Sequence, residues 1–375
     1  MIQLGAPRTV ASVLQRIGRT GRRAGGVRNC LFLATSDTEL LQAFALTSLV
    51  EDGWVEPLIP PPRPVHLAAQ QLLARVLSEG RVGQSAWPGS LLALAEIGDL
   101  SAVGLASVLR HMVERDILLD LGGVLQIGTE GERLFGRRHF MDVTSLFLTE
   151  PLLSVRWGGR LLGQVDPSAL TTRDGQRAVI LLGGQAWAVG DVDWNRRVVW
   201  VEPTDDPGRS RWMGAGGALS IEVCHAIRRV LAGEAVPEGA TRRAAGQLEV
   251  LRETFWFAHE GKTTLERDRE RRRSRWWTFA GGRANAELSD RCRVAGHAVA
   301  GVDDLGVTIL GMPPAEQLTG SAESPITVSE VDRKRLDAVK FHEAVPDDAL
   351  EEMVRARDAD PIAIATALSE PMVLA

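Results

Sequence analysis

Apolar positions recur along this chain in changing rhythms, and each change of rhythm marks a change of element. The first segment, IQLGAP, ends a short apolar strand in a turn that Pro7 fixes. Thr9 or Ser12 can cap the helix that follows, where Val10, Val13, Leu14 and Ile17 recur with a period of about 3.6 residues. Gly18 and Gly21 weaken that helix beyond Ile17. Asn29 to Thr35 is an apolar run short enough for a buried strand, and Asp37 is placed to cap a helix, ELLQAFALTSLV. Strand, helix, strand, helix is a fragment of an α/β layer, too small to close a core alone.

Pro57 to Pro64 forbids helix and central strand alike and marks a domain boundary. After it, HLAAQQLLARVLSEG predicts a helix with Leu67, Leu72, Leu73, Val76 and Leu77 inward and Gly80 at its end. A second helix is expected near Gly89 to Glu96, and a third from about Ala102 to Arg115. The third exposes Ser107, Arg110, His111 and Arg115 and buries Val103, Leu105, Leu109, Met112 and Val113 in this reading. ILLDL, a Gly122-Gly123 turn and VLQIG then predict a hairpin. Three helices and a hairpin is the order of a winged helix, which either reads duplex DNA through its third helix or braces its neighbours.

From Leu152 to Pro203 the rhythm becomes alternation, with strands joined by tight glycine turns and a hairpin turning at Asp193 to Arg196. SIEVCHAIRRVLAG follows as a helix with Ile221, Cys224, Ile227 and Leu231 on one stripe. Gly246 to His259 predicts another, with Leu248, Leu251, Phe255 and Ala258 inward. The arginine-rich run from Arg267 to Arg275 reads as a solvated charged helix or as a phosphate-binding stretch. RWWTFAGGRANAEL is an aromatic strand turning through two glycines into a helix, and an acidic helix runs from Glu343 to Asp360, with Pro361 closing it. The fold class is α/β plus α+β, multidomain. Its expected segments are 1–56, an α/β remnant; 57–66, a proline-rich linker; 67–140, a winged helix; 141–235, a β-rich, barrel-like domain; and 236–375, a mixed helical region with an acidic tail.

Composition narrows this picture only a little. At 375 residues, 45% hydrophobic and 24% charged, the chain has the makeup of a soluble globular protein of several domains. A net charge of −5 does not announce a nucleic-acid binder, so local arrangement must carry that argument. Lys262, Lys334 and Lys340 are the only lysines, and arginine supplies the remaining positive charge. Arginine brings planar donors suited to phosphate, although a chain rich in Arg, Ala and Gly also reflects coding bias. The 3 cysteines form no CxxC pair and the 7 histidines are scattered, so neither a metal site nor a disulfide framework is expected. No signal peptide and no bilayer-length apolar run is present, which points to a cytoplasmic chain without a membrane partner.

The chemistry concentrates at Gln15 to Arg23, QRIGRTGRR. ATP hydrolysis develops charge on the γ-phosphoryl oxygens, and arginines set against them stabilise the transition state. The stretch resembles motif VI of superfamily 2 (DEAD/DEAH-box) helicases, QRxGRxGR. By that resemblance Arg19 and Arg22 are arginine fingers, and Gln15, Arg16, Gly18 and Gly21 lie at the nucleotide and lobe interface. Residues 1–56 are then the last part of a second RecA-like lobe. WGGRLLGQVD, LLGGQAWAVGDVD, RWMGAGGALSIEV and WWTFAGGRAN, following in this order, resemble the large helicase-related (Lhr) group. The group implies an ATP-dependent translocase that moves 3′ to 5′ on a single strand, with ATP and Mg²⁺ as cofactors of the complete helicase.

The departures are as informative as the matches. No GxxxxGK[ST] loop occurs and no Asp-Glu magnesium pair precedes the motif. The chain alone is therefore expected to bind no ATP and to be inactive, and a separate chain carrying the ATPase lobes is an expected partner. Single-stranded or forked DNA, or RNA, is the other. Its expected contacts are Arg110, Arg115, Arg156, Trp157, Arg160, Trp276, Trp277 and Arg283, with Trp187 and Trp194 as further stacking candidates. Trp276 and Trp277 point to opposite faces if they lie in a strand, leaving one ring for a base. The competing reading is a non-enzymatic nucleic-acid-binding module with a vestigial motif VI; a purely structural protein, with the acidic tail as a docking helix, is a third.

Overall fold

The computed structural model describes residues 1–21, 25–26, 29–85, 91, 98–136, 143, 152–165, 170, 178–183, 185–194, 196–204, 206, 217–233, 238–323 and 333–375. They fall into two compact units, residues 1–144 with 217–375, and residues 145–216.

The chain opens with β1 (Ile2–Leu4), α1 (Val10–Ile17), β2 (Leu31–Leu33) and α2 (Asp37–Glu51). β1 and β2 pair in parallel, Ile2 opposite Leu31 and Leu4 opposite Leu33. Thr9 is the cap of α1, its side chain accepting from the Ser12 N–H at 3.1 Å. Ser36, not Asp37, caps α2; Asp37 is the first helical residue, where its charge favours the positive end of the helix dipole.

Next come α3 (Val65–Glu79), β3 (Val82–Gly83), α4 (Ala102–Glu114), β4 (Leu118–Asp120), β5 (Val124–Ile127) and α5 (Thr129–Phe135). The three strands form one antiparallel sheet in the order β3-β5-β4. The helix expected near 89–96 falls almost wholly outside the described residues. α4 buries Leu105, Val108, Leu109 and Met112. Val103, expected inward, is 79% exposed. At about 100° per residue it lies on the opposite side of the helix from Leu105, Leu109 and Met112.

The smaller unit contains β6 (Leu153–Trp157), β7 (Arg160–Val165), β8 (Val179–Leu182), β9 (Gln185–Asp193) and β10 (Val198–Pro203). They form one sheet in the order β7-β6-β10-β9-β8, parallel only between β6 and β10. Alternation works as expected: Leu153, Val155, Val199 and Val201 are buried on one face, and the residues between them are not.

The rest of the larger unit is α6 (Ile221–Ala232), α7 (Arg242–Thr254), β11 (Thr263–Asp268), β12 (Arg273–Trp277), α8 (Gly282–Val294), β13 (Val299–Val302), β14 (Gly306–Leu310), α9 (Ala315–Glu323), α10 (Arg333–Asp337), α11 (Asp347–Asp358), α12 (Pro361–Ser369) and β15 (Met372–Leu374). A five-stranded sheet, β13-β14-β12-β11-β15, therefore runs through a region expected to be mainly helical. Within it the arginine-rich run is a hairpin rather than a charged helix, because Leu265, Ser274 and Trp276 alternate inward. Helix α6, grouped with the β-rich segment by sequence, packs instead with α1, α2 and α7 around Val10, Phe44, Leu46, Val223, Ile227 and Leu248. α7 starts earlier than expected because Thr241 caps it, accepting from the Ala244 N–H at 3.2 Å. Pro361 does not close a helix; it opens α12, where a missing N–H costs nothing.

The acidic tail is helical, but its apolar face is not displayed to a partner. Leu350, Met353 and Val354 of α11, with Phe341 and Val345 before it, share one core with α3 and α4. Among the described residues, no helix is long and apolar enough to cross a membrane.

Candidate functional site

The QRIGRTGRR stretch begins on α1, whose free N–H groups at Val10 and Ala11 are held by the Glu56 carboxylate at 2.7 and 2.8 Å. Gln15, Arg16, Gly18, Arg19 and Gly21 are all exposed. The helix ends at Gly18, whose N–H reaches the Leu14 carbonyl at 2.8 Å, and a turn carries Arg19 past the end. Gly21 takes a left-handed φ of 60° that a side chain would strain. Arg16 donates from Nη1 to Gln3 Oε1 at 2.7 Å, which ties the motif to β1. Arg22 lies outside the described residues, so its distance from Arg19 is not part of this geometry. The only Gly-Lys-Thr triplet, Gly261 to Thr263, enters strand β11 and has Trp256 where a phosphate-cradling loop needs its first glycine.

Arg8, just before α1, reaches across to two segments distant in sequence. Its Nε donates to the Gly217 carbonyl at 2.6 Å and its Nη2 donates to Asp304 Oδ2. The other Asp304 oxygen accepts the Leu219 N–H at 2.9 Å. Asn285, fully buried at the start of α8, donates to the carbonyls of Asp303 and Asp304 at 2.9 and 3.0 Å and accepts from Thr278 Oγ1 at 2.5 Å. Gly281 and Gly282 let the 217–220 segment lie against this turn: a Cβ would sit 2.6 Å from the Leu219 carbonyl at the first and 2.5 Å from Asp304 Oδ1 at the second. WWTFAGGRAN is thus a structural joint.

Both tryptophans of that motif are in the joint. β12 points them to opposite faces, as its alternation requires, but both faces are covered. Trp276 is 0% exposed against Leu265, Leu288 and Ile309. Trp277 is 9% exposed, with Arg275 stacked 3.9 Å from its ring and its indole N–H donated to Glu266 at 2.8 Å. Neither ring offers a face to a base, which corrects the expectation for both. Arg283 remains exposed on the first turn of α8, and Arg110 and Arg115 are exposed on and just after α4. His111 is not free, since Nε2 meets the Glu343 carbonyl at 3.2 Å.

In the smaller unit Arg156, Trp157 and Arg160 are brought together by one tight hairpin. Gly158 and Gly159 hold φ values of 52° and 83°, the mirror-image turn that suits the twist of two strands. Trp157 is 43% exposed, with its ring 5.4 Å from the buried Trp187, and Arg156 reaches the Gly159 carbonyl at 3.4 Å. Trp187, fixed by a 3.1 Å bond to the Leu182 carbonyl, is core and not a platform.

Over 74 residues, 20% of this chain, the sequence is 39% identical to the Lhr helicase/uracil glycosylase of Escherichia coli (strain K12), and the match spans 5% of that protein. The whole chain superposes on 54% of the Mycobacterium smegmatis helicase Lhr bound to ssDNA and AMP-PNP, with a TM-score of 0.57 at 16% identity. The chain resembles Lhr helicases. No protein-family model matches it.

Sequence reading missed one aromatic in this Lhr-like chain. Trp200 stands on the solvent face of the smaller sheet, directly across from Arg156 on β6 and Asp191 on β9. The signal was available, since Val199 and Val201 point inward and leave Trp200 pointing out. What no local pattern carried was the Asp304 joint, whose partners lie far apart in sequence.

Proposed function

We propose that the chain is the nucleic-acid-handling part of an Lhr-like, ATP-dependent 3′-to-5′ helicase, and that it lends Arg19 and Arg22 to a nucleotide site completed by ATPase lobes. The observation that carries this reading is the superposition of the full chain on an Lhr helicase, with motif VI at an exposed helix end. ATP and Mg²⁺ belong to the completed site, because the 375 residues contain no GxxxxGK[ST] loop. Residues 67–140 act as a winged helix and the smaller sheet as a strand-binding platform. Arg156, Trp157 and Arg160, with Arg110, Arg115 and Arg283, are the proposed contacts to a single strand.

The test mixes the chain with a polypeptide carrying the GKT and DExH elements and measures ATP hydrolysis with and without single-stranded DNA. The expected result is DNA-stimulated hydrolysis that Arg22→Ala or Arg19→Ala lowers by about 10³-fold or more. A stable complex without stimulation overturns the catalytic role. The missing loop also favours a second reading, a binding module with a vestigial motif VI. That reading predicts salt-sensitive binding of single strands or forked duplexes without nucleotide, unchanged by Arg19→Ala.

A further inference from the structure

Two hairpin tips, one in each unit, share a construction that goes beyond an ordinary turn. β9 and β10 are joined by Asp193-Trp194-Asn195-Arg196-Arg197, and β11 and β12 by Asp268-Arg269-Glu270-Arg271-Arg272. In each the Asp pairs across the ladder with the residue after the second arginine, Val198 or Arg273. The Asp Oδ1 accepts the backbone N–H of the first arginine at 2.9 Å in both tips. Its Oδ2 lies 3.8 Å from that arginine's Nε in both. The second arginine holds a left-handed backbone, φ 55° at Arg197 and 48° at Arg272. Its carbonyl is locked by a neighbouring chain segment, accepting from the Ser154 N–H at 2.8 Å or the Gly311 N–H at 2.7 Å.

A left-handed position in a turn ordinarily belongs to glycine or asparagine, which hold it without strain. The β4–β5 hairpin follows that rule with Gly122 and Gly123 at φ 70° and 89°. At the two Asp-x-x-Arg-Arg tips an arginine stands there instead. Both guanidinium groups are exposed, and neither has an ion pair or hydrogen bond among the described residues. Other arginines of the same run are tied down: Arg267 donates to the Pro313 carbonyl at 3.3 Å, and Arg275 to Asp303 and Thr308. Within this run Arg267 and Arg275 are thus fixed on the sheet, while Arg272 at the tip and Arg273 beside it carry exposed guanidinium groups.

We propose that these two tips are contact points for the phosphate backbone of a nucleic acid, each presenting an adjacent arginine pair on a turn fixed by its aspartate. Guanidinium forks suit phosphate oxygens, and a rigid turn presents them with little ordering left to do. At the first tip Trp194, 59% exposed beside the pair, adds a face on which a base can stack. That aromatic favours a base-bearing polyanion over an acidic polypeptide. The proposal rests on the chain being a nucleic-acid-handling protein.

Glycine at the second arginine makes the test clean, because it removes the cation and relaxes the left-handed backbone, so the hairpin is retained. Binding of a fluorescein-labelled single-stranded oligonucleotide to the full chain is followed by anisotropy across a salt series. R197G and R272G should each weaken low-salt binding by about 3- to 10-fold and shrink the slope of log K against log salt by about 0.7. R197K and R272K should keep the slope. Wild-type affinity and slope in both glycine variants would overturn the tips while leaving the functional reading intact. No binding by the wild-type chain at any salt overturns both. Displacement of the oligonucleotide by polyglutamate of equal charge, lost in the glycine variants, would assign the tips to an acidic protein and overturn the proposal.

Discussion

Trp157-Gly158-Gly159-Arg160 and the spread set Trp277, Gly281, Gly282, Arg283 use the same three residue types for opposite purposes. In the first, a Cβ on either glycine would meet nothing within 4 Å, so the glycines serve only the backbone angle of an open hairpin. In the second they serve close approach, since a Cβ would collide with the 217–220 segment and with Asp304. The neighbouring rings divide the same way: Trp157 is open to solvent, while Trp276 and Trp277 fill two cores on either side of one strand. A residue pattern specific to a protein group can therefore mark a joint as readily as a ligand site. Burial decides which.

The largest test of that contrast is Trp276→Ala against Trp157→Ala. The first should cost about 3–5 kcal/mol in urea unfolding. The second should cost no more than about 1 kcal/mol of stability and instead weaken single-strand binding by about 1–3 kcal/mol. Equal destabilisation by the two would break the comparison. The buried side also holds a charge pair: Arg228 makes two parallel bonds to Glu370, at 2.5 and 2.6 Å, and a third to the Lys262 carbonyl. Glu370→Gln leaves that guanidinium short of its counter-charge and should cost about 3 kcal/mol, whereas exposed Arg160→Gln should leave the urea midpoint in place.

Acid should likewise act on the buried side. His66 on α3 lies against Met353, and burial, with the Arg357 charge adding to it, lowers its pKa from 6.5 to about 4. The neutral ring is the folded form, so this stability is full above the ordinary value and is lost as pH falls from there toward about 4. At pH 5 the loss is about 2 kcal/mol, and His66→Gln should remove that part of the acid sensitivity. The smallest expected contrast is between glycines. Gly281→Ala combines strain with collision and should cost about 2 kcal/mol or more, while Gly158→Ala should cost about 1 kcal/mol in differential scanning.

Local rules carried much of the architecture. The strands of the smaller sheet followed from alternation, α1 from its apolar period, and the β4–β5 hairpin from Gly122 and Gly123. What local rules missed were facts about partners distant in sequence. Trp276 and Trp277 alternate as expected, yet nothing nearby says that helices from both sides, α6 and α12 among them, cover both faces of β12. The Arg267–Arg275 run looked helical because its charges hid the alternation of Leu265, Ser274 and Trp276. Of the QRIGRTGRR stretch, the helix through Ile17 was legible from its apolar period, and Arg22 lies outside the described residues. Val103 was misplaced by crowding too many apolar residues onto one helix face.

The bond from Arg8 to Asp304 joins residues 296 positions apart. At synthesis rates of about 5–20 residues per second, roughly 15 to 60 s separate their emergence from the ribosome. Through that interval α1 and α2 lack Trp277, Phe279 and the α6 helix that complete their core. The segment around α1 is therefore made well before the partners that stabilise it. A chaperone that shields apolar helices early should raise the yield of this chain more than one that acts after release.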